Sequence, residues 1–320
     1  MNSILNKAAL ARNTLAKARI SAQPGGRPPV ALEITPDGVL AAAVPGAGQA
    51  PVYAYQPLQH GALLPGIGEP NLRDVAGIAA AMKSVLDQVS PRTSSVTLVI
   101  PDTVVRVFVL DFDSFPGKPA EALPVLRFRL RKMVPFDVEH AGLSYQVLVE
   151  TKNETRVLAA VLPGPILAEY EGAVREAGYE PGAVLPSSLA ALEAIDALEA
   201  VLIANISPVA LTTTIANGQD LLLYRTLDLP ADHALRLSEI RRGVAVAAAY
   251  YEDKLGAPPL RLHFAGSTGA ADEGSEGFAR WLEDPVLEIV DLATRPLTGT
   301  VTPLGTASVA SVTGALAGVR

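Results

Sequence analysis

One order of elements runs through this sequence twice, and that repetition narrows the available folds more than any single motif does. Val30 to Ile34 and Gly38 to Val44 are short apolar runs joined by the turn Thr35-Pro36-Asp37-Gly38, and Pro51 to Tyr55 is a third candidate strand. From Asn71 to Val89, the residues Val75, Ile78, Met82, Leu86 and Val89 recur at helical spacing, and Ser95 to Ile100 has the length and apolarity of a strand. The order returns from Val201. Strands are expected at Val201 to Ile206, Leu211 to Ile215 and Leu221 to Leu227, with the hairpin turn Asn217-Gly218 between the last two. A long helix from Leu235 to Leu255, closed by Gly256, and a strand from Leu260 to Phe264 complete the second cycle. The duplication predicts an α/β protein of two lobes, each a mixed sheet wrapped by helices, with a cleft between them.

The length agrees with two lobes, since 320 residues exceed one comfortable core and domains of roughly 100–200 residues are typical. Apolar residues make up 49% and charged ones 18%, which is the balance of a globular chain. The net charge of −7 argues against a general nucleic-acid binder. Residues 1–29 read as a basic arm and breaker-rich linker: Lys7, Arg12, Lys17, Arg19 and Arg27 meet no acidic side chain before Glu33. Such an arm either serves solubility as a poorly ordered terminus or approaches anionic lipid. Lys7 and Arg12 interrupt any signal-peptide core. The absence of cysteine excludes disulfides, thiolate metal sites and a cysteine nucleophile. No charge appears between Arg295 and Arg320, but Pro296, Gly299, Pro303 and Gly305 dilute that stretch below the apolarity of a membrane span. It predicts a terminal helix from Ala307 to Val319 that packs inside a lobe.

Between the cycles lies a unit at 104–186 that reads as an insertion in the first lobe. It holds a strand from Val104 to Phe112, a helix from about Ala120 to Met133, and strands at Leu143 to Val149 and Arg156 to Leu162. A helix from Ile166 to Ala177 stopped by Gly178 and a strand from Glu180 to Leu185 follow. Ser187 or Ser188 is expected to cap a helix running to about Leu198. The expected divisions are thus 30–103 with 187–200 for the first lobe, 104–186 for the insertion, 201–295 for the second lobe, and 296–320 packing back on the first.

Two stretches carry a family resemblance. The run from Met133 through Pro135-Phe136 to Tyr145-Gln146-Val147-Leu148 places a helix end at a Pro-Phe pair and a Tyr-Gln-Val strand after it. Residues 156–195 add a Val-rich strand, a helix ending in Glu176-Ala177-Gly178, and an extended segment before the helix at Ser187. Together with the duplicated plan, these resemble the PilM family of type IV pilus assembly proteins, relatives of the cell-division actin homologue FtsA. The resemblance covers about 30–320. It implies an actin-like, duplicated RNase H-like fold of two lobes with an inserted subdomain in the first.

The resemblance also says where a nucleotide site would stand. Where the family's first phosphate hairpin has Asp-Ile-Gly, this chain has Glu33-Ile34-Thr35, followed by Pro36 and Asp37. Glu33 keeps the charge on a longer arm, while Thr35 and Pro36 remove the freedom and the backbone N–H that wrap an anion. The second hairpin has Asn205-Ile206-Ser207 and then Pro208, so a carboxylate has become an amide and a donor is again lost. The adenosine loop is matched in part by Gly266 and Ser267. Magnesium binding, phosphate cradling and base stacking are weakened together, so the expectation is a degenerate site without ATP hydrolysis and with no required cofactor. Weak binding of Mg-ATP stays open.

By the same resemblance, the chain is expected to act as a cytoplasmic scaffold peripheral to the inner membrane. Its partners would be the N-terminal tail of a PilN-like membrane protein and other pilus assembly components. Phe112, Phe128, Phe136 and Tyr145 are the candidate groove residues, with ordinary core packing as the competing account of each. The alternatives are an active actin-like ATPase or kinase, and the cytoplasmic domain of a type II secretion L-type protein. No catalytic or metal-binding residue is assigned: His60, His140, His233 and His263 fall at no metal-ligand spacing. Arg127, Arg129, Arg131 and Lys132 lie on the helix before Pro135, either as a solvated face or as a dock for an acidic partner surface.

Overall fold

A computed structural model describes residues 27–46, 48–89, 91–195, 199–266, 278, 282, 284, 286–292 and 307–317. Two five-stranded sheets share one topology. The first runs β3 (Val52–Pro57), β2 (Gly38–Ala43), β1 (Val30–Thr35), β4 (Ser95–Ile100), β8 (Glu180–Pro186). The second runs β11 (Asp220–Asp228), β10 (Ala210–Asn217), β9 (Val201–Ile206), β12 (Arg261–Gly266), β13 (Glu288–Asp291). In both, three antiparallel strands are followed by two parallel ones. The repeated plan of the sequence is therefore a repeated plan of hydrogen bonding.

The central strands are apolar on both faces because both are covered. Val30, Leu32, Ile34, Leu98 and Ile100 pack against α1 (Val75–Val89) and α3 (Gly164–Glu176). Ala31, Leu40, Ala42 and Val99 pack against α4 (Ser187–Leu192) and α6 (Ala310–Ala317). Gly314 lets α6 touch α4, since a Cβ there would overlap the Ala190 carbonyl oxygen. In the second lobe, Leu202, Leu211 and Phe264 pack against α5 (His233–Leu255), which Asp232 caps through the Leu235 N–H and Gly256 ends at φ 77°. Val75 heads the α1 stripe but is 41% exposed.

A three-stranded antiparallel sheet, β5 (Arg106–Phe112), β7 (Thr155–Leu162), β6 (Gly142–Glu150), forms the insertion, with α2 (Pro119–Leu130) on one face. Three expectations need correction. The helix predicted to reach Met133 ends at Leu130 and carries Pro124 in its first half. β8, placed with the insertion by its position in sequence, pairs in parallel with β4 and so belongs to the first lobe's sheet. Ser187 and Ser188 do not cap α4; Pro186 is its N-cap, and both hydroxyls bond elsewhere. Most of the basic arm, the loop beyond Gly266 and residues 293–306 lie outside the described residues. No described helix is long and apolar enough to cross a membrane.

Candidate functional site

The two lobes meet where β1 and β9 end, and polar side chains from six segments converge there. Asp102 stands in the turn after β4 and is buried. Its Oδ1 accepts the Ser188 N–H at 2.9 Å and the Tyr224 hydroxyl at 2.8 Å. Its Oδ2 accepts the Ser188 hydroxyl and, at 3.4 Å, the Asn205 amide. Asn205 also donates to the oxygens of Ser187 (3.1 Å) and Ser188 (3.0 Å). Ser187 in turn donates to Glu33 Oε1 at 2.9 Å and lies 2.8 Å from the Ser311 hydroxyl of α6. One network thus joins β1, the turn after β4, α4 and α6 of the first lobe, and β9 and β11 of the second.

Charge in this network is costly. Burial raises the Glu33 carboxyl to about 7; the hydroxyls of Ser187 and Ser311 pull it down and the nearby Asp102 pushes it up. Burial first, then the Asp102 carboxylate, hold the Tyr224 phenol far above its ordinary range. No described group of three or more acidic or histidine side chains could hold a metal ion.

The predicted phosphate hairpins both line this cleft, and in each a hydroxyl takes up backbone N–H groups of its own turn. Thr35 Oγ1 takes the Gly38 N–H at 3.2 Å and donates to the Gly38 carbonyl. Ser207 Oγ takes the Ala210 N–H at 3.0 Å and the Val209 N–H at 3.4 Å. Pro36 and Pro208 sit beside these hydroxyls without an N–H. Asp37 is exposed at the mouth, its carbonyl taken by the Tyr55 hydroxyl at 2.9 Å. Gly266 lines the cleft at φ 90°, and a Cβ there would overlap the Ile206 carbonyl oxygen. Ser267 lies outside the described residues. The cleft offers about 80 Å³, against roughly 300 Å³ for the smaller ligand sites. Glu33, Thr35, Asp37, Asn205, Ser207 and Gly266 therefore all line one cleft, around a space that polar side chains occupy.

A second concavity of about 310 Å³ lies between the insertion and the first lobe. Leu158 and Ala160 of β7 form one wall, Val184 and Leu185 of β8 with Leu189 the other. Five consecutive residues of β6, Gly142 to Gln146, line it. Alternating side chains cannot all point one way, and β6 is the outer strand of its sheet, so its open backbone edge faces the groove. Of the aromatic candidates only Tyr145 reaches this groove. Phe112 packs 5.0 Å from Phe115 within the insertion's core, Phe136 joins that core, and Phe128 is 76% exposed on α2. The aromatics follow the α2 face of the sheet, and the groove is on the other.

Sequence reasoning missed Asp102, Tyr224 and Ser311, and read Ser187 and Ser188 as caps. One signal was available for Asp102: it stands two residues past the carboxyl end of a parallel strand, where open α/β sheets place their sites.

No protein-family model matches the sequence, nor does any curated protein. Among solved structures, the chain is similar to one described as the PilM-PilN type IV pilus biogenesis complex. The TM-score is 0.72 at 18% identity, covering 91% of this chain and 98% of that one. It is also similar to the cytoplasmic domain of EpsL, an inner membrane component of the type II secretion system of Vibrio cholerae. There the TM-score is 0.50 at 12% identity, covering 90% and 93% of the two chains. At such identities the likeness is one of fold, and that fold is actin-like.

Proposed function

We propose that this actin-like chain is a PilM-type scaffold of a pilus or related secretion assembly, and that its insertion groove captures the extended N-terminal tail of a PilN-like membrane protein. The observation that carries the reading is the groove: an apolar cavity of about 310 Å³ with a free strand edge along one side. An extended peptide binds such a site by adding a strand, with backbone hydrogen bonds supplying affinity and apolar pockets supplying selection. The similarity to a PilM-PilN complex supports the choice of partner. The reading places the chain at the cytoplasmic face of the inner membrane, held there by what it binds.

Hydrolysis is not part of the proposal. Glu33, the residue that would face magnesium, accepts a hydroxyl instead, and in both hairpin turns a side-chain hydroxyl takes up backbone N–H groups. A fluorescent peptide copying the tail of a bitopic membrane protein encoded beside this chain should bind with saturation. Ala160→Arg, which fills the groove, should lower its affinity at least about tenfold, consistent with loss of a buried contact set. Unchanged binding in that variant would move the partner site elsewhere. Turnover of Mg-ATP that Glu33→Ala abolishes would replace the scaffold by an ATPase or kinase.

A further inference from the structure

The insertion has a second face that neither cleft nor groove uses. Leu126 and Leu130 of α2 pack with Leu110, Val157, Ala159 and Val161, so this helix is the outer layer of the insertion. Its opposite side presents Val125, Phe128 and Arg129, and the turn that follows adds Lys132 and Met133. Positions 125, 128 and 129 have the i, i+3, i+4 spacing of a single helical face, and Lys132 follows in the turn after it. That face is open: Val125 is 36%, Met133 42% and Phe128 76% exposed.

The cations divide into two kinds. Arg127 is committed to the carbonyls of Val138 and Ala141, and Arg131 to Glu139. Among the described residues Arg129 and Lys132 have no ion-pair partner. We propose that this face docks on an anionic bilayer surface, Phe128 and Met133 entering the headgroup–acyl boundary while Arg129 and Lys132 meet lipid phosphate. Charge complementarity argues for that occupant, since two uncommitted cations flank the apolar tip on a chain whose net charge is −7. Shape argues the same way. Both concavities lie elsewhere, the groove on the other face of the same sheet and the cleft between the lobes. A protruding aromatic side chain on the outermost helix suits a planar, deformable surface better than a peptide, which needs pockets. So small a patch binds weakly and needs a second attachment to hold at the membrane. The proposal goes beyond tail capture and does not depend on it.

The chain's lack of cysteine makes the test direct. A Met133→Cys variant of the full chain, labelled with an environment-sensitive fluorophore, is titrated with vesicles of phosphatidylcholine alone or mixed with phosphatidylglycerol. Emission should shift to the blue only with phosphatidylglycerol, and the shift should fade as salt rises. Adding Arg129→Glu and Lys132→Glu should weaken sedimentation with those vesicles more than about tenfold, and Phe128→Ser about threefold. Neither change should alter the melting temperature or tail-peptide affinity, because none of these side chains is in a core or in the groove. Sedimentation unaffected by these substitutions would assign lipid binding to another part of the chain and overturn the proposal. So would a shift caused only by an acidic protein partner.

Discussion

The cleft and the groove are both seams between packed units, yet they have opposite characters. In the cleft, a carboxylate, an amide and hydroxyls from facing lobes bond to one another and leave about 80 Å³. In the groove, apolar walls and one unpaired strand edge surround about 310 Å³. The fold supplies both seams; side chains decide which admits a ligand. A buried polar network that satisfies itself is rigid and expensive to open, since any ligand must replace several hydrogen bonds at once. An apolar groove has nothing to give up but water.

The comparison is tested most severely at Asp102. Asp102→Ala leaves the Ser188 N–H and the Tyr224 hydroxyl buried without an acceptor, a loss of about 4 kcal/mol in denaturant unfolding. Tail binding measured well below the new midpoint should be unchanged. If it falls in parallel, the two seams are one cooperative unit and the contrast fails. Tyr224→Phe removes a single donor and should cost about 1 kcal/mol.

Glu33 supplies a test by pH. Its folded-state carboxyl titrates near 7, against 4.5 when unfolded. Between those values the folded chain keeps a proton that the unfolded chain releases, so this group lowers stability as pH rises through that window and adds no further slope above it. Glu33→Gln removes the penalty. It should be close to neutral at pH 4 and stabilising by up to about 3 kcal/mol at pH 8, a difference read from melting curves at the two pH values. A variant less stable at pH 8 would mean that Glu33 is held as a carboxylate, as it would be beside a bound cation.

How far these features can be read without coordinates depends on how local their causes are. Turn chemistry and periodicity are local, so Asn217-Gly218 between β10 and β11 and Gly256 after α5 stand where expected, with φ 61° and 77°. The bond between Ser188 and Asp102 joins residues far apart in sequence, and a serine before an apolar helix run reads as a cap whether or not it is one. β8 was misplaced for the same reason: its partner β4 lies across the whole insertion. Three of the four aromatic candidates, Phe112, Phe128 and Phe136, lie away from the groove, because a phenylalanine looks the same in sequence whether it fills a core, as Phe112 does, or stands in solvent like Phe128. Positions equivalent to a phosphate site could be found by resemblance, but whether the hairpin amides are free could not.

Gly266 sharpens the contrast from the second lobe. Its backbone is left-handed and its Cα faces the Ile206 carbonyl, so Gly266→Ala must distort the β9–β12 contact. The expected loss is about 2 kcal/mol, combining the positive φ with local overlap. Because Gly266 lines the cleft and not the groove, tail affinity should again hold.

The smallest expected effect falls on the strut between the seams. Arg156 of β7 reaches Asp111 at 2.9 Å and, across to the second lobe, Asp220 at 2.7 Å. The pairs are partly exposed, so Arg156→Ala should cost only about 1 kcal/mol, less at high salt. Its consequence for binding should be out of proportion to that figure. β7 forms a wall of the groove, and the ion pair to Asp220 ties the insertion to a strand whose Tyr224 anchors the cleft. If the groove is preformed by packing alone, the variant binds the tail normally at every ionic strength. If tail affinity drops several-fold and wild-type affinity shows the same loss on adding salt, the insertion is held in register by this arginine. The closed seam would then be what keeps the open one in shape.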